Sequence, residues 1–439
     1  MAGIYKAYDI RGIYGDDFTE AVIHDIGRAF VTFLGCKKVV IGRDMRPHSQ
    51  PLFEALATGI TRQGADVVDL GVVSTPMTYH GIAKLGADAG IMLTASHNPG
   101  EWNGTKLTRE QAIPISGATG IQDIERIVNE GSFAPEAQTA GSVSTYNVIP
   151  EYVAYVQSKA ELARPVHLAI DMANGMGIVE AEALDGTVTF DGLFDELDGS
   201  FPNHEANPLK ESTLVDLQTM TREGSYDFGV AYDGDADRAG FIDEKGQIVP
   251  MDIITALIAK DVLRHEKGTF LYDLRSSRAV GEIIEENGGR AIMCRVGHAF
   301  IKQQMREEDA VFAGELSGHY YFRDNFFTES SSKAILCVAN IVSQSDKPLS
   351  ELVAPIKRYF ASGEINSEVE DTAVVLERIR QSHPDGRHFE LDGVSVELDD
   401  FWFNVRGSNT EPLIRLNLEA VSQEVMEAKR DEVLALIRG

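Results

Sequence analysis

The chain has 439 residues, with 68 Asp and Glu against 40 Lys and Arg, a formal charge of -28. A surface this acidic repels nucleic acid and anionic lipid, so an anionic ligand needs a local island of Arg, Lys, His and backbone N–H groups. The 3 cysteines (Cys36, Cys294 and Cys337) form no C-x-x-C, and no run approaches the ~20 apolar residues that cross a bilayer, which fits a protein of the reducing cytoplasm.

The length suggests about three domains, within a range of two to four. The opening MAGIYKAYDIRG is too polar for a secretory leader. A helix is expected from Thr19 onward, where Ile23, Ile26, Phe30 and Phe33 make one apolar stripe. Residues 38–44 (KVVIGRD) then read as a buried strand opening into a polar loop. That unit returns at 167–171 (HLAID) and 269–273 (TFLYD). Each copy is followed by a second apolar strand and a special loop. These are 89–94 leading into Ala95-Ser96-His97-Asn98, 228–232 leading into Asp233-Gly234-Asp235, and 310–313 leading into Gly314-Glu315-Leu316-Ser317. The repetition predicts three similar α/β domains, with ligands gathering beyond the carboxyl ends of the strands. The last part of the chain reads as a small α+β domain. It has a helix over 372–382, a His383-Pro384-Asp385-Gly386 turn, strands over 389–398, 401–405 and 413–418, and a helix after Ser422. With 139–145 as the first linker, the expected domains are 1–145, 146–250, 251–365 and 366–439.

Four loops carry chemistry. Ser96 lies in a polar loop at a strand end, but a serine hydroxyl is a weak nucleophile without a partner. No G-x-S-x-G elbow surrounds it, which disfavours a hydrolase. His97 is a poor base for it, because neighbours in extended chain point to opposite sides. Asp233, Asp235 and Asp237 alternate, and packed carboxylates of this kind call for a hard divalent cation, Mg²⁺, Ca²⁺ or Mn²⁺. Glu244 would complete an EF-hand count, but Arg238 stands where that loop needs Gly and the preceding run is strand-like. Gly314-Glu315-Leu316-Ser317-Gly318-His319 offers groups that can bind vicinal hydroxyls. Arg406-Gly407-Ser408-Asn409-Thr410-Glu411-Pro412, followed by Arg415, has the ingredients of a phosphate cradle.

Taken together and in this order, T-A-S-H-N-P, D-G-D-A-D-R, G-E-L-S-G-H and R-G-S-N-T-E-P resemble the α-D-phosphohexomutase superfamily, in its phosphomannomutase/phosphoglucomutase branch. The resemblance runs from Tyr8-Asp9-Ile10-Arg11-Gly12 to the last domain. It implies three α/β domains with mixed sheets and a small α+β domain around a central cleft. It implies an intramolecular phosphotransferase that interconverts hexose 1-phosphate and 6-phosphate, with mannose or glucose as the sugar. Ser96 would be the phosphoserine, and Asp233, Asp235 and Asp237 the Mg²⁺ ligands, with a phosphoserine oxygen completing the site. Glu315 and Ser317 would hold sugar hydroxyls, and Arg406, Ser408, Asn409, Thr410 and Arg415 the distal phosphate. Arg11, His97, Lys106, Arg238, Arg275, His298 and His319 would line the cleft, Lys106 as the first choice of general base. Glucose 1,6-bisphosphate or an equivalent would be the activator. Ala236 departs from the family's common Gly and should restrict the metal loop. Phosphoglucosamine mutase is the runner-up. A Mg²⁺-dependent sugar phosphatase and a non-catalytic sugar-phosphate sensor are the rivals from other classes.

Overall fold

Three α/β sheets follow one plan in the structure, a computed structural model that describes residues 3–407 and 413–439. In each sheet an outer strand, a central strand and a third strand run parallel, and two antiparallel strands follow. The first sheet has Asp66–Val72, Lys38–Arg43, Ala89–Leu93, Trp102–Arg109 and Ile10–Ile13, with Val143–Thr145 added on the outer edge. The second has Thr189–Leu193, His167–Asp171, Phe228–Tyr232, Ala239–Asp243 and Ile248–Val249. The third has Arg290–Cys294, Thr269–Asp273, Phe312–Gly314, Tyr320–Phe322 and Thr328–Glu329. The third strand of each sheet is the one the sequence pairs with a special loop. All three are buried throughout, as strands covered on both faces must be. Each loop therefore leaves the same end of an equivalent strand.

Local signals set the flanking helices. Thr19 caps Glu20–Leu34 by accepting from Val22 N, and Gly35 ends it in the left-handed conformation. The stripe of Ile23, Ile26 and Phe30 packs into the core of the first sheet. The fourth sheet is antiparallel, in the order Phe360–Glu368, Leu413–Ala420, Phe401–Gly407, Val394–Glu397, Arg387–Phe389. The helices Thr372–Gln381 and Gln423–Arg438 pack on it through Val375, Ile379, Met426 and Val433.

Three sequence expectations change. The stretch 139–145 is not a bare linker, because it carries the edge strand Val143–Thr145. The run over 389–398 is a hairpin, turning at Gly393 with φ of 70°. The strand Phe360–Glu368 had no counterpart in the sequence reading, and it straddles position 365 while pairing within the last sheet.

One apolar cluster spans the first three sheets, and two sets of buried polar groups lie against it. The fully buried Lys302 and Glu329 pair at 2.7 Å, with the ammonium 3.9 Å from the Tyr79 ring centroid. Glu180 accepts from Ser74 Oγ and Tyr152 OH, each at 2.5 Å, and Tyr152 OH also bonds Ser330 Oγ. Burial pushes the Glu180 carboxyl up from 4.5 to about 7. A raised acid binds more protons folded than unfolded between those values, so its stabilisation is full below about 4.5 and is lost as pH rises through about 7. The cost above that is about 3 kcal/mol. Glu180→Gln should flatten this fall. Urea titrations at pH 5 and pH 8 should show the variant gaining on wild type at the higher pH, and a gap independent of pH would contradict it.

Candidate active site

The Ser96 loop follows the buried strand Ala89–Leu93. Ser96 has φ of 53°, the left-handed region that a side chain disfavours. That turn corrects the expected orientation of His97. Alternation would point it away from Ser96, but the chain is not extended here, and His97 Nδ1 lies 3.3 Å from Ser96 Oγ. Burial, with Arg238 and Arg11 nearby, pushes the imidazole down to about 2, so it stays neutral. Two guanidinium groups shape the loop from beneath. Arg11 donates to Ala95 O and to Asn98 Oδ1. The wholly buried Arg46 donates to the carbonyls of Ser96, Asn98, Pro99 and Trp102, and its Nε to Asp44.

The second loop meets the first directly. Ser96 Oγ donates to Asp233 Oδ2 at 2.9 Å. A Cβ at Gly234 would sit 2.4 Å from Ser96 O, so only glycine permits this approach. Asp233 Oδ1 accepts from the N–H groups of Asp237 and Arg238, which curls the loop. One oxygen from each of Asp233, Asp235 and Asp237 falls within 4.8 Å of the others, all buried. Burial and the two neighbouring carboxylates push the Asp233 carboxyl up. Lys106 Nζ donates to Asp235 Oδ2 at 2.7 Å and to Asp237 Oδ2. Burial would lower the Lys106 amine, but Asp235 and Asp237 outweigh it and hold the group charged. Glu244 is turned away and accepts from Ser350, so the EF-hand count has no structural basis. Ala236 has φ of 57°, and Ser331 Oγ donates to its carbonyl at 2.6 Å.

The third loop closes over the second. His319 Nε2 lies 3.3 Å from Asp237 Oδ1, and Arg238 Nε reaches the same imidazole nitrogen at 3.4 Å. Burial would lower His319, but Asp237 and Glu315 raise it to about 9. Glu315 accepts from Gly297 N through Oε1, and through Oε2 from Tyr321 OH, with His319 Nδ1 at 3.0 Å. One acceptor site on Oε1 is left for a ligand. Ser317 Oγ is 2.9 Å from His319 Nδ1. His298 has both ring nitrogens buried without a hydrogen-bond partner among the described residues. Arg275 is held by Asp273 and lies 3.9 Å from Glu315. In the fourth sheet Arg406 and Arg415 share one carboxylate, Glu364. Burial opposes the ionisation of Glu364, but Arg406, Arg415 and Arg275 lower it on balance. Ser408, Asn409 and Thr410 lie outside the described residues.

This geometry agrees with comparisons to known proteins. Models of the phosphoglucomutase/phosphomannomutase alpha/beta/alpha domains I, II and III match residues 3–135, 150–246 and 250–359, and that of the C-terminal domain matches 364–436. The chain belongs to the phosphoglucomutase/phosphomannomutase family. It is 40% identical to an Escherichia coli phosphomannomutase, over 99% of both chains. It is 39% identical to one from Methanocaldococcus jannaschii, over 99% of this chain and 97% of that one. A family protein from Burkholderia thailandensis superposes with a TM-score of 0.91 at 31% identity, covering 99% of this chain and 96% of that one.

The residues of the Asp loop fit a metal ion. Oδ1 of Asp235 is buried and has no hydrogen-bond partner among the described residues, a costly arrangement that a cation would repair. Sequence reasoning missed Arg46, Thr75, Asp273, Ser331 and Glu364, which hold the named groups. The R-D-M-R run at 43–46 was the one available signal for Arg46. Ser74-Thr75-Pro76 reads as an ordinary helix start. Among the described residues, no helix is long and apolar enough to cross a membrane.

Proposed function

We infer that the protein is a phosphohexomutase that interconverts the 1-phosphate and 6-phosphate of mannose or glucose. The observation that carries this reading is the contact of Ser96 Oγ with Asp233 at the meeting of three equivalent loops, inside an island of Arg11, Lys106, Arg238 and His319. In an acidic chain, that island is where a phosphate can be held.

Phosphoserine 96 donates its phosphoryl group to the free hydroxyl of a bound hexose phosphate. The bond from phosphorus to Ser96 Oγ breaks as one to the sugar oxygen forms. The hydroxyl proton passes first to Lys106 and ends on Ser96 Oγ. The product is a hexose 1,6-bisphosphate, which turns over in the cleft and returns its other phosphate to the serine. A cation held by Asp235 and Asp237 would weaken their hold on the Lys106 proton, so the amine can serve as base while another of its N–H groups keeps the bond to Asp235 Oδ2. Asp233, Asp235 and Asp237 would hold Mg²⁺, which supplies neutralisation of the transferring group when bound. Arg11 and Arg238 stabilise charge on the phosphoryl oxygens. Glu315, with one acceptor site free, and Ser317 beside it receive sugar hydroxyls. Arg406 and Arg415, with the 408–410 segment, take the distal phosphate, which displaces Glu364 from them. Glucose 1,6-bisphosphate primes the serine.

The test is a coupled assay on mannose, glucose and glucosamine 1-phosphates with Mg²⁺ and a trace of glucose 1,6-bisphosphate. Mannose or glucose 6-phosphate should form without free phosphate. Phosphate release with no hexose 6-phosphate would make the protein a hydrolase instead, and turnover confined to the glucosamine substrate would move it to the neighbouring branch.

A further inference from the structure

We propose that Thr75, on the first domain, is a positioning residue that fixes which oxygen of Asp235 faces the metal. The proposal rests on the metal reading of the Asp loop given above. Thr75 is fully buried, 160 residues from Asp235 in sequence, and it makes two bonds to that residue. Its Oγ1 donates to Asp235 Oδ2 at 2.6 Å, and its N–H donates to Asp235 O at 3.1 Å. Lys106 donates to the same Oδ2 at 2.7 Å. Both lone pairs of Oδ2 are thereby taken, while Oδ1 is buried without a partner among the described residues. The carboxylate is locked with one oxygen committed to the protein and the other left for a cation.

The hydroxyl is not spent on its own helix. Ser74 already caps Thr75–Lys84 by accepting from Met77 N. Lys106 alone is a poor substitute, because a flexible ammonium makes no preferred angle and leaves the carboxylate free to turn. The neighbouring residue is fixed from another domain, since Ser331 of the third domain donates to Ala236 O at 2.6 Å. The Asp loop of the second domain is thus set by hydroxyls from both its neighbours. Such outer partners of a metal ligand typically contribute a factor of 10 to 100 in affinity.

The experiment uses full-length protein and Mn²⁺ as the probe, with free Mn²⁺ read by electron paramagnetic resonance and folding by thermal melting. Thr75→Ser keeps the hydroxyl and should bind Mn²⁺ within about threefold of wild type. Thr75→Val and Thr75→Ala should bind at least tenfold more weakly, with melting temperatures close to wild type. If Thr75→Val fails to fold, Thr75→Ala carries the comparison, since it removes the hydroxyl and adds no bulk. Wild-type Mn²⁺ affinity in either hydroxyl-free variant overturns the proposal, as does equal weakening in Thr75→Ser. Should wild type bind no Mn²⁺, the metal reading itself falls. Should wild type bind but Asp235→Asn bind equally well, the ion lies elsewhere and Thr75 has no part in holding it.

Discussion

Ser96→Ala will lose hexose phosphate interconversion by at least about three orders of magnitude, while its melting temperature moves by only a few degrees. The loss follows from the role, since the substitution removes the oxygen that carries the phosphoryl group. The small stability effect follows from position. Ser96 lies in a loop, and its hydroxyl makes one side-chain bond of good length, to Asp233 Oδ2 at 2.9 Å. Losing such a bond costs on the order of 1 kcal/mol. Ser96→Gly separates function from strain. At φ of 53° any Cβ is disfavoured, so glycine relieves about 1 kcal/mol that alanine retains. Part of that gain returns to the unfolded chain as entropy. Both variants should be inactive, yet the glycine variant should melt at or above the alanine one. After incubation with glucose 1,6-bisphosphate, intact mass should show one added phosphate on wild type and none on either. Turnover near wild type in either variant would remove Ser96 from the mechanism.

Much of this was legible in the sequence because the repeat writes the same message three times. A buried apolar strand that ends in a polar loop is a local pattern, and it placed Ser96, Asp233 and Glu315 at equivalent strand ends. The Asp triplet was legible for the same reason, since its three carboxylates sit in one curled loop. What was missed is long in sequence or masked by solvent. Thr75 meets Asp235 across 160 residues, and Ser331 meets Ala236 across 95. No spacing rule connects such pairs. The strand Phe360–Glu368 lies at a sheet edge, is mostly exposed and has a register shift between Ala361 and Glu364. It therefore lacks both the apolar run of a buried strand and the alternation of a half-buried one. The orientation expected for His97 failed for a backbone reason. The alternation rule holds for extended chain, and one residue at positive φ cancels it.

Arg46→Met will be the most destabilising single change near the site, and it will lower turnover without any contact with substrate. The guanidinium is wholly buried, and its N–H groups reach four carbonyls, those of Ser96, Asn98, Pro99 and Trp102, while Nε donates to Asp44. Methionine fills similar space but leaves those carbonyls unpaired and the Asp44 charge uncompensated. Removing one partner of a buried pair costs about 3–5 kcal/mol. Arg46→Lys keeps the charge, but three donors on one ammonium cannot serve four carbonyls spread along the loop. It should fold, with kcat reduced by about tenfold or more and KM little changed, because a loop shifted by an ångström misaims Ser96 without altering the phosphate sites. Thermal melts and initial rates on mannose 1-phosphate check both variants. The double variant Asp44→Asn/Arg46→Met separates charge from loop support. Removing Asp44's charge should recover part of the stability lost in Arg46→Met, since the stranded carboxylate is gone. It should recover none of the activity, since the carbonyls of the Ser96 loop remain unheld. If the double variant regains wild-type turnover, Arg46 serves only to neutralise Asp44, and the loop takes its shape from Arg11 and the strand ends alone.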